Sequence, residues 1–274
     1  MCDVDKPARE RKKRGNEMRV MTFNIRFENE RDGTNAWVNR RELVARTIER
    51  HSPDIVGTQE GKWHQLLYIR ARLPGYVFCA PGRVVDETSQ YPTLFYREDG
   101  FEVEEAGEFW LSKTPDVHRS KSWDSGFPRM MSYLKLTERE SGHSFWAAVT
   151  HLDNIGSEAR FEQASILSRW VKEREGPVML MGDFNDDPQS RIHELLAGPE
   201  TMLRDTWRSL GRGESGDTGT HHGFTGVPQD QRIDWILVSR NFRVFGARVV
   251  RDDFDGRYPS DHFPYMADLD WMDE

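Results

Sequence analysis

The stretch Val178-Met179-Leu180-Met181-Gly182-Asp183-Phe184-Asn185 decides how this chain is read. It opens as a fully apolar strand, preceded by the helix stop Gly176-Pro177. It closes on a carboxylate and an amide. A carboxylate beside strong strand formers is costly to bury without a partner. The same interruption recurs along the chain. Met21-Thr22-Phe23-Asn24-Ile25-Arg26 places Asn24 inside a strand, and Ile55-Val56-Gly57-Thr58-Gln59-Glu60 ends one on Glu60. Ala148-Val149-Thr150-His151-Leu152-Asp153 ends another on His151. Ile233-Asp234-Trp235-Ile236-Leu237 sets Asp234 near a strand start, and Ser260-Asp261-His262-Phe263-Pro264 sets Asp261 and His262 just ahead of the last strand. Taken singly, each is an ordinary turn or surface residue. Together, Asn, Asp, Glu and His at so many strand ends point to one metal-centred pocket that satisfies them all.

Around these positions strands and helices alternate from Arg19 onward. Strands are expected at 19–27, 54–58, 76–79, 93–97, 101–110, 131–137, 144–151, 177–181, 232–239, 242–250 and 264–270. Helices are expected at 37–51, 62–73, from Ser157 to Gly176-Pro177, and near 191–197. This order is that of an α/β protein, with helices covering sheet faces and antiparallel pairing between Thr93 and His151. Two sheets packed face to face would accommodate it, but the pattern alone does not choose. No linker divides the chain, so residues 19–274 are expected to form one domain. The polar segment 1–18 carries the basic cluster Arg9-Glu10-Arg11-Lys12-Lys13-Arg14 and is expected to be a disordered leader. The Gly-rich stretch Gly211–Thr220 is expected to be a mobile loop, and His221-His222 beside it to belong to that loop rather than to a ligand set.

Composition bounds the function. The 274 residues include 9 Trp, 15 Phe and 7 Tyr, which disordered chains lack. A net charge of -8 argues against coating duplex DNA by bulk electrostatics, though a local basic groove remains open. No apolar run is long enough to span a bilayer, and no amphipathic anchor is evident. The cysteines, Cys2 and Cys79, form no disulfide framework or zinc site. A reducing, cytoplasmic location is expected, with no membrane anchor and no obligate protein partner.

The residue types also select the chemistry. Oxygen ligands without a thiolate cluster suit Mg²⁺ or Mn²⁺ better than zinc. A hard cation beside Asp and His points to hydrolysis at phosphorus. An Asp next to His and Asn can orient and deprotonate water. A His can donate to the phosphoryl or leaving oxygen, and an Asp behind a His fixes its tautomer.

These residues, in this order, resemble the endonuclease/exonuclease/phosphatase superfamily, the deoxyribonuclease I-like fold. The match runs from Thr22-Phe23-Asn24-Ile25 to Ser260-Asp261-His262, and Gly182-Asp183-Phe184-Asn185 paired with Ser260-Asp261-His262 is its specific signature. The resemblance implies a four-layered α/β sandwich of two packed mixed β-sheets flanked by helices. It also implies phosphate-ester hydrolysis with Mg²⁺ or Mn²⁺. Asn24, Glu60 and Asp261 resemble the metal positions. Asp183 resembles the water-activating residue, and Asn185 its partner at a phosphoryl oxygen. His151 resembles the histidine that stabilises the transition state, His262 the second histidine, and Asp234 the carboxylate that orients it. Asp153 departs from the common pattern and is read as a loop cap. Phe109-Trp110-Leu111-Ser112, Lys121-Ser122-Trp123-Asp124 and Pro128-Arg129 look like an uncharacterised bacterial branch loosely similar to deadenylase-like members.

Substrate choice is expected to sit in loops. Trp123 and Arg129 can stack on a base and grip a phosphate, and Arg160 at a helix start can face it. Trp110 reads as core. The leading expectation is a phosphodiesterase acting on a phosphate ester such as single-stranded nucleic acid or a nucleotide. A phosphatase or phospholipase-type hydrolase of a sugar phosphate or lipid headgroup is the alternative, and a non-catalytic binding module the second.

Overall fold

The structure, a computed structural model, describes residues 17–272; the basic cluster Arg9–Arg14 lies outside them. The first six strands are β1 (Met18–Asn24), β2 (Ile55–Gln59), β3 (Tyr76–Phe78), β4 (Thr93–Arg97), β5 (Phe101–Trp110) and β6 (Met130–Glu138). The next six are β7 (Ser144–His151), β8 (Val178–Asp183), β9 (Arg204–Asp205), β10 (Asp234–Val238), β11 (Phe242–Val249) and β12 (Tyr265–Trp271). The helices are α1 (Trp37–His51), α2 (Trp63–Arg72), α3 (Ser157–Lys172) and α4 (Arg191–Leu196). One sheet runs β11-β12-β1-β2-β4-β3 and the other β5-β6-β7-β8-β10-β9. Each is built on one parallel pair, β1 with β2 and β7 with β8, and all other pairings are antiparallel.

Side-chain parity explains the layers. Side chains alternate across a strand, so one register feeds the space between the sheets and the other feeds the helices. Met179 and Met181 join Val20, Ile55, Val149, Ile236 and Tyr265 between the sheets. Their neighbours Val178 and Leu180 pack with Leu167, Trp170 and Trp235 under α3 and α4. On the other side Met21, Phe23 and Val56 pack with Val44, Ile48 and Leu66 under α1 and α2. The central strands are apolar without a break because both of their faces are covered. The sheets approach closely at Gly57, where an added Cβ would lie 2.6 Å from the Met181 sulfur.

The sequence pattern placed most elements within a residue or two. The first strand stops at Asn24 rather than continuing to Phe27, because Arg26 takes a left-handed backbone, φ 55°. Strand β8 runs on to Asp183, held by ladder partners His151 and Asp234 on either side. Part of the Gly211–Thr220 stretch is packed rather than free. Thr220 Oγ1 accepts from the N–H groups of Ile233 and Asp234, and Glu214 pairs with Arg232.

That last pair anchors the start of β10. The Arg232 side chain is fully buried and bonds Asp205 at 2.8 Å and Glu214 at 2.6 Å, while His193 of α4 bonds the same Asp205 oxygen at 2.8 Å. Burial opposes the Asp205 charge, but His193 and Arg232 bring its pKa down to about 2. An unfolded Asp protonates near 3.9. A depressed folded-state pKa stabilises fully above the unfolded value and is lost as the pH falls through the folded one. Asp205→Asn is therefore expected to cost about 3–5 kcal/mol at neutral pH by leaving Arg232 short of a partner. Urea unfolding should show the gap to wild type closing as the pH falls from about 4 towards 2.

Candidate active site

Parity and strand direction together assemble the polar residues. Asn24, Gln59, His151, Asp183 and Asp234 share the register of residues that face the opposite sheet. β1, β2, β7 and β8 all end at one edge of this interior layer, and β10 and β12 begin there. Across the second sheet His151, Asp183 and Asp234 stand directly opposite one another on neighbouring strands. Gly182 is required beside them, because a Cβ there would collide with the Thr150 carbonyl oxygen. Glu60 and Asn185 follow their strands with left-handed backbones, φ 65° and 51°. Such conformations cost about 1–3 kcal/mol each in non-glycine residues, and they turn both side chains back over the strand ends.

Asp183 is the hub. Its Oδ2 accepts from Asn24 Nδ2 at 3.0 Å, across the gap between the sheets. It lies 3.4 Å from His151 Nε2 and 3.8 Å from His262 Nε2. Its Oδ1 accepts from the Asn185 N–H at 3.0 Å. Asn24 Nδ2 also donates to Glu60 at 3.2 Å, and the Phe27 N–H donates to the other Glu60 oxygen at 3.0 Å. Both Asn185 amide hydrogens are engaged, one with His151 Nε2 at 2.9 Å and one with the Leu152 carbonyl at 3.0 Å. In this arrangement Asn185 orients His151; a bond to a phosphoryl oxygen would replace one of these two.

The three central groups are tuned apart. Burial and the neighbouring Asp234 carboxylate push Asp183 up. Burial works against a charge on His262, but Asp234 at 2.9 Å, with Asp183 and Asp261, raises its pKa to about 10. Burial, Arg129 and the charged His262 drive His151 well below its ordinary value, so it stays neutral. Environment thus favours an imidazolium on one side of the carboxyl group and a neutral imidazole on the other.

Ligand atoms of Asp183, Asp234 and His262 lie within 4.8 Å of one another. Asp234 Oδ1 is buried without a hydrogen-bond partner among the described residues. The Asp183 and Asp234 oxygens, with Asn24 and Glu60 hydrogen-bonded into the same group, make a hard-oxygen set that fits a divalent cation, while the charged His262 stands beside it as a donor. Asp261 sits at the margin, 3.6 Å from Arg26 and hydrogen-bonded by Ser260.

The remaining expected residues spread along the rim. The Arg129 side chain is buried, donates to Asn154 at 3.1 Å and acts electrostatically on Glu60 and Asp183. Arg160 bonds the Asp153 carbonyl and Asp186. Trp123 lies beneath Lys113 and makes no ring or hydrogen-bond contact with the central cluster among the described residues. Trp110 is core. Asp153 caps its loop as expected, accepting from the N–H groups of Gly126, Phe127, Ile155 and Gly156.

Two contributors escaped the sequence reading. His221 is bridged to His262, its ring 5.0 Å away, and Asp230 bonds its Nδ1 at 2.8 Å. Its neighbour His222 is structural: it stacks on Phe263, and burial lowers its pKa to about 4. Arg40 donates to the carbonyls of Ile25, Arg26 and Asn35, and to that of Pro259 ahead of Ser260-Asp261-His262. It thereby ties the loop after β1 to the segment ahead of β12. Neither role leaves a local pattern, since both depend on segments distant in the chain.

Two mixed six-stranded sheets with flanking helices and this carboxylate–imidazole end define a deoxyribonuclease I-like hydrolase sandwich. The Endonuclease/Exonuclease/phosphatase family pattern matches residues 21–262, and the chain belongs to that family. An endonuclease/exonuclease/phosphatase family protein from Bacteroides thetaiotaomicron superimposes with a TM-score of 0.85 at 31% identity, covering 95% of this chain and 100% of that one. A mannosyl-6-phosphatase of the same organism gives 0.83 at 31% identity, covering 92% and 99%. Nocturnin of Drosophila melanogaster is 26% identical over 180 residues, 61% of this chain; the match spans 27% of Nocturnin's length.

Asp234→Asn is expected to let the His262 pKa fall from about 10 towards the ordinary histidine value of about 6.5. Imidazole NMR titration of the two proteins reads this directly; an unmoved His262 would show that Asp234 does not hold its charge.

Proposed function

We propose that this chain hydrolyses the phosphate ester of a small hydroxylated molecule, a sugar phosphate or a nucleotide, using Mg²⁺ or Mn²⁺. The observation that carries the reading is the convergence of Asn24, His151 and His262 on the Asp183 carboxylate. Asn24, Glu60 and Asp261, with the Asp183 edge, are assigned to hold the cation. Once bound, it would neutralise phosphoryl charge and favour the ionised form of Asp183. Asp183 aligns the attacking water and takes its proton. A raised proton affinity suits it to that task near neutral pH. His262, kept charged by Asp234, presents Nε2–H to the phosphoryl or leaving oxygen. Asn185 fixes the ring of His151, which then faces the same centre neutral and oriented.

Substrate size is read from what adjoins Asn185. A cleft of about 320 Å³ is lined there by Asp186, Asp187, Asp230, Gln231 and Ile233. That volume suits a small ligand. Its carboxylates accept hydrogen bonds from hydroxyls and repel the flanking phosphates of a polynucleotide. The mannosyl-6-phosphatase relative, alike over nearly the whole chain, supports the sugar-phosphate reading. A second reading, single-stranded nucleic acid, is favoured by exposed Phe127 beside the Arg129 guanidinium, 5.5 Å from its ring centroid. Arg160 belongs to the substrate rim in either reading, whereas Trp123 is assigned no more than an outer contact.

Purified protein with Mg²⁺ or Mn²⁺ should turn over sugar phosphates and nucleotides faster than single-stranded RNA or DNA, and EDTA should abolish turnover. Asp183→Asn should lower kcat by about two orders of magnitude or more. Turnover confined to polynucleotides would reverse the substrate assignment, and an Asp183→Asn rate equal to wild type would reject the role of Asp183.

A further inference from the structure

A second cavity, of about 70 Å³, is lined by Thr88, Ser89, Gln90, Arg119, Arg129 and the aromatic wall of Trp110 and Phe127. No carboxylate lines it, although the chain as a whole is acidic. Two residues of its wall each keep one buried donor atom without a hydrogen-bond partner among the described residues. Ser89 is 5% exposed, and its Oγ has no hydrogen-bond partner among the described residues. Arg129 is 7% exposed, and its Nε likewise has none. The nearest anion to that Nε is Asp153 Oδ2 at 3.7 Å, an ion-pair distance too long for a hydrogen bond. Asp153 is already engaged by the N–H groups of Gly126, Phe127, Ile155 and Gly156. A buried hydroxyl and a buried guanidinium N–H each cost free energy until something accepts from them. Arg119 adds a second positive charge, bonded to Asp86 and Thr88 through Nη1.

We propose that this cavity is an anion subsite that takes a second oxyanion, a phosphate or carboxylate, carried by the same substrate molecule. Two arginine side chains and a hydroxyl around so small a volume match the acceptor-rich surface of such a group. A volume of about 70 Å³ is enough for a compact oxyanion. The subsite lies near the reaction centre: Arg129 on its wall stands 3.7 Å from Asp153 and bonds Asn154, in the segment that directly follows His151. The inference rests on the phosphoesterase reading above for its biological sense, and it narrows the substrate to one with two anionic groups.

The test separates the two claims. In EDTA, sulfate is titrated into the intact protein and followed by arginine Nε–H NMR signals. The Arg129 Nε–H resonance should move saturably. Ser89→Ala and Arg119→Gln should each weaken sulfate binding at least tenfold, while Asp183→Asn retains it. Neither substitution removes a core side chain, and circular dichroism with a melting curve confirms that each variant is folded. In the presence of Mg²⁺, KM is compared for ribose 5-phosphate, ribose 1,5-bisphosphate and glucuronic acid 1-phosphate. A lower KM for a doubly anionic substrate, with the ratio shrinking at least fivefold in Ser89→Ala and Arg119→Gln, supports the subsite and identifies the second anion. Absence of sulfate binding, or binding that these variants leave unchanged, overturns the subsite and leaves the phosphoesterase reading standing. Sulfate binding with no turnover of any ester leaves the subsite standing and removes the phosphoesterase reading.

Discussion

The structure depends on one constraint: the Asp183 carboxyl group lies at the end of a dry layer between two sheets and must be satisfied there. It draws Asn24 from the opposite sheet, Asn185 from the turn that follows it, and His151 and His262 from two more segments. Removing water from such a group costs several kcal/mol unless partners replace it. The partners are therefore part of the fold as much as of the site. The Asn24–Asp183 hydrogen bond joins the two sheets through polar atoms at the site end, as the Trp271–Glu138 bond does elsewhere.

Everything nearby serves to hold that junction in register. The parallel pairs β1–β2 and β7–β8 bring their C-terminal ends to the same edge. Gly57 lets the sheets approach closely, and Gly182 lets β8 pass the Thr150 carbonyl just before Asp183. Arg40 binds the loop after β1 to the segment ahead of Asp261 and His262. On the far side of β10, the buried Arg232 cluster fixes the strand that begins with Asp234. A rigid scaffold beneath and irregular loops above is the usual division between stability and specificity. Here the loops carry an acidic cleft beside Asn185 and a carboxylate-free cavity beside Arg129.

Much of the site was legible because buried polar residues at strand ends are costly and therefore informative. Asn24, Glu60, His151, Asp183, Asn185, Asp234 and His262 all stand at or beside strand ends, and they lie in one hydrogen-bonded or ion-paired group. Their division of labour was less legible. Asp234 and His262 join Asp183 in the tightest ligand cluster, whereas Asp261 stands beside Arg26 at the margin. Trp123 carried an aromatic signal but stays apart from the centre, since an aromatic in a long loop reports stacking surface and not its direction. Nothing local distinguishes His221 from a loop histidine; only its bridge to His262 brings it to the site.

The sequence by itself determined the order of strands and helices, the place of most of them to within a residue or two, and that hard-oxygen and imidazole donors gather near the strand ends. Alternation of apolar and polar residues is a local property, so it can be read without coordinates. Tertiary structure alone decided which ends meet, which donors are spent on one another, and which remain without an acceptor. Ser89 Oγ and Arg129 Nε are unpartnered only because of what packs around them. The proton affinities of His151, Asp183 and His262 diverge for the same reason, since burial and neighbouring charge act through space rather than along the chain.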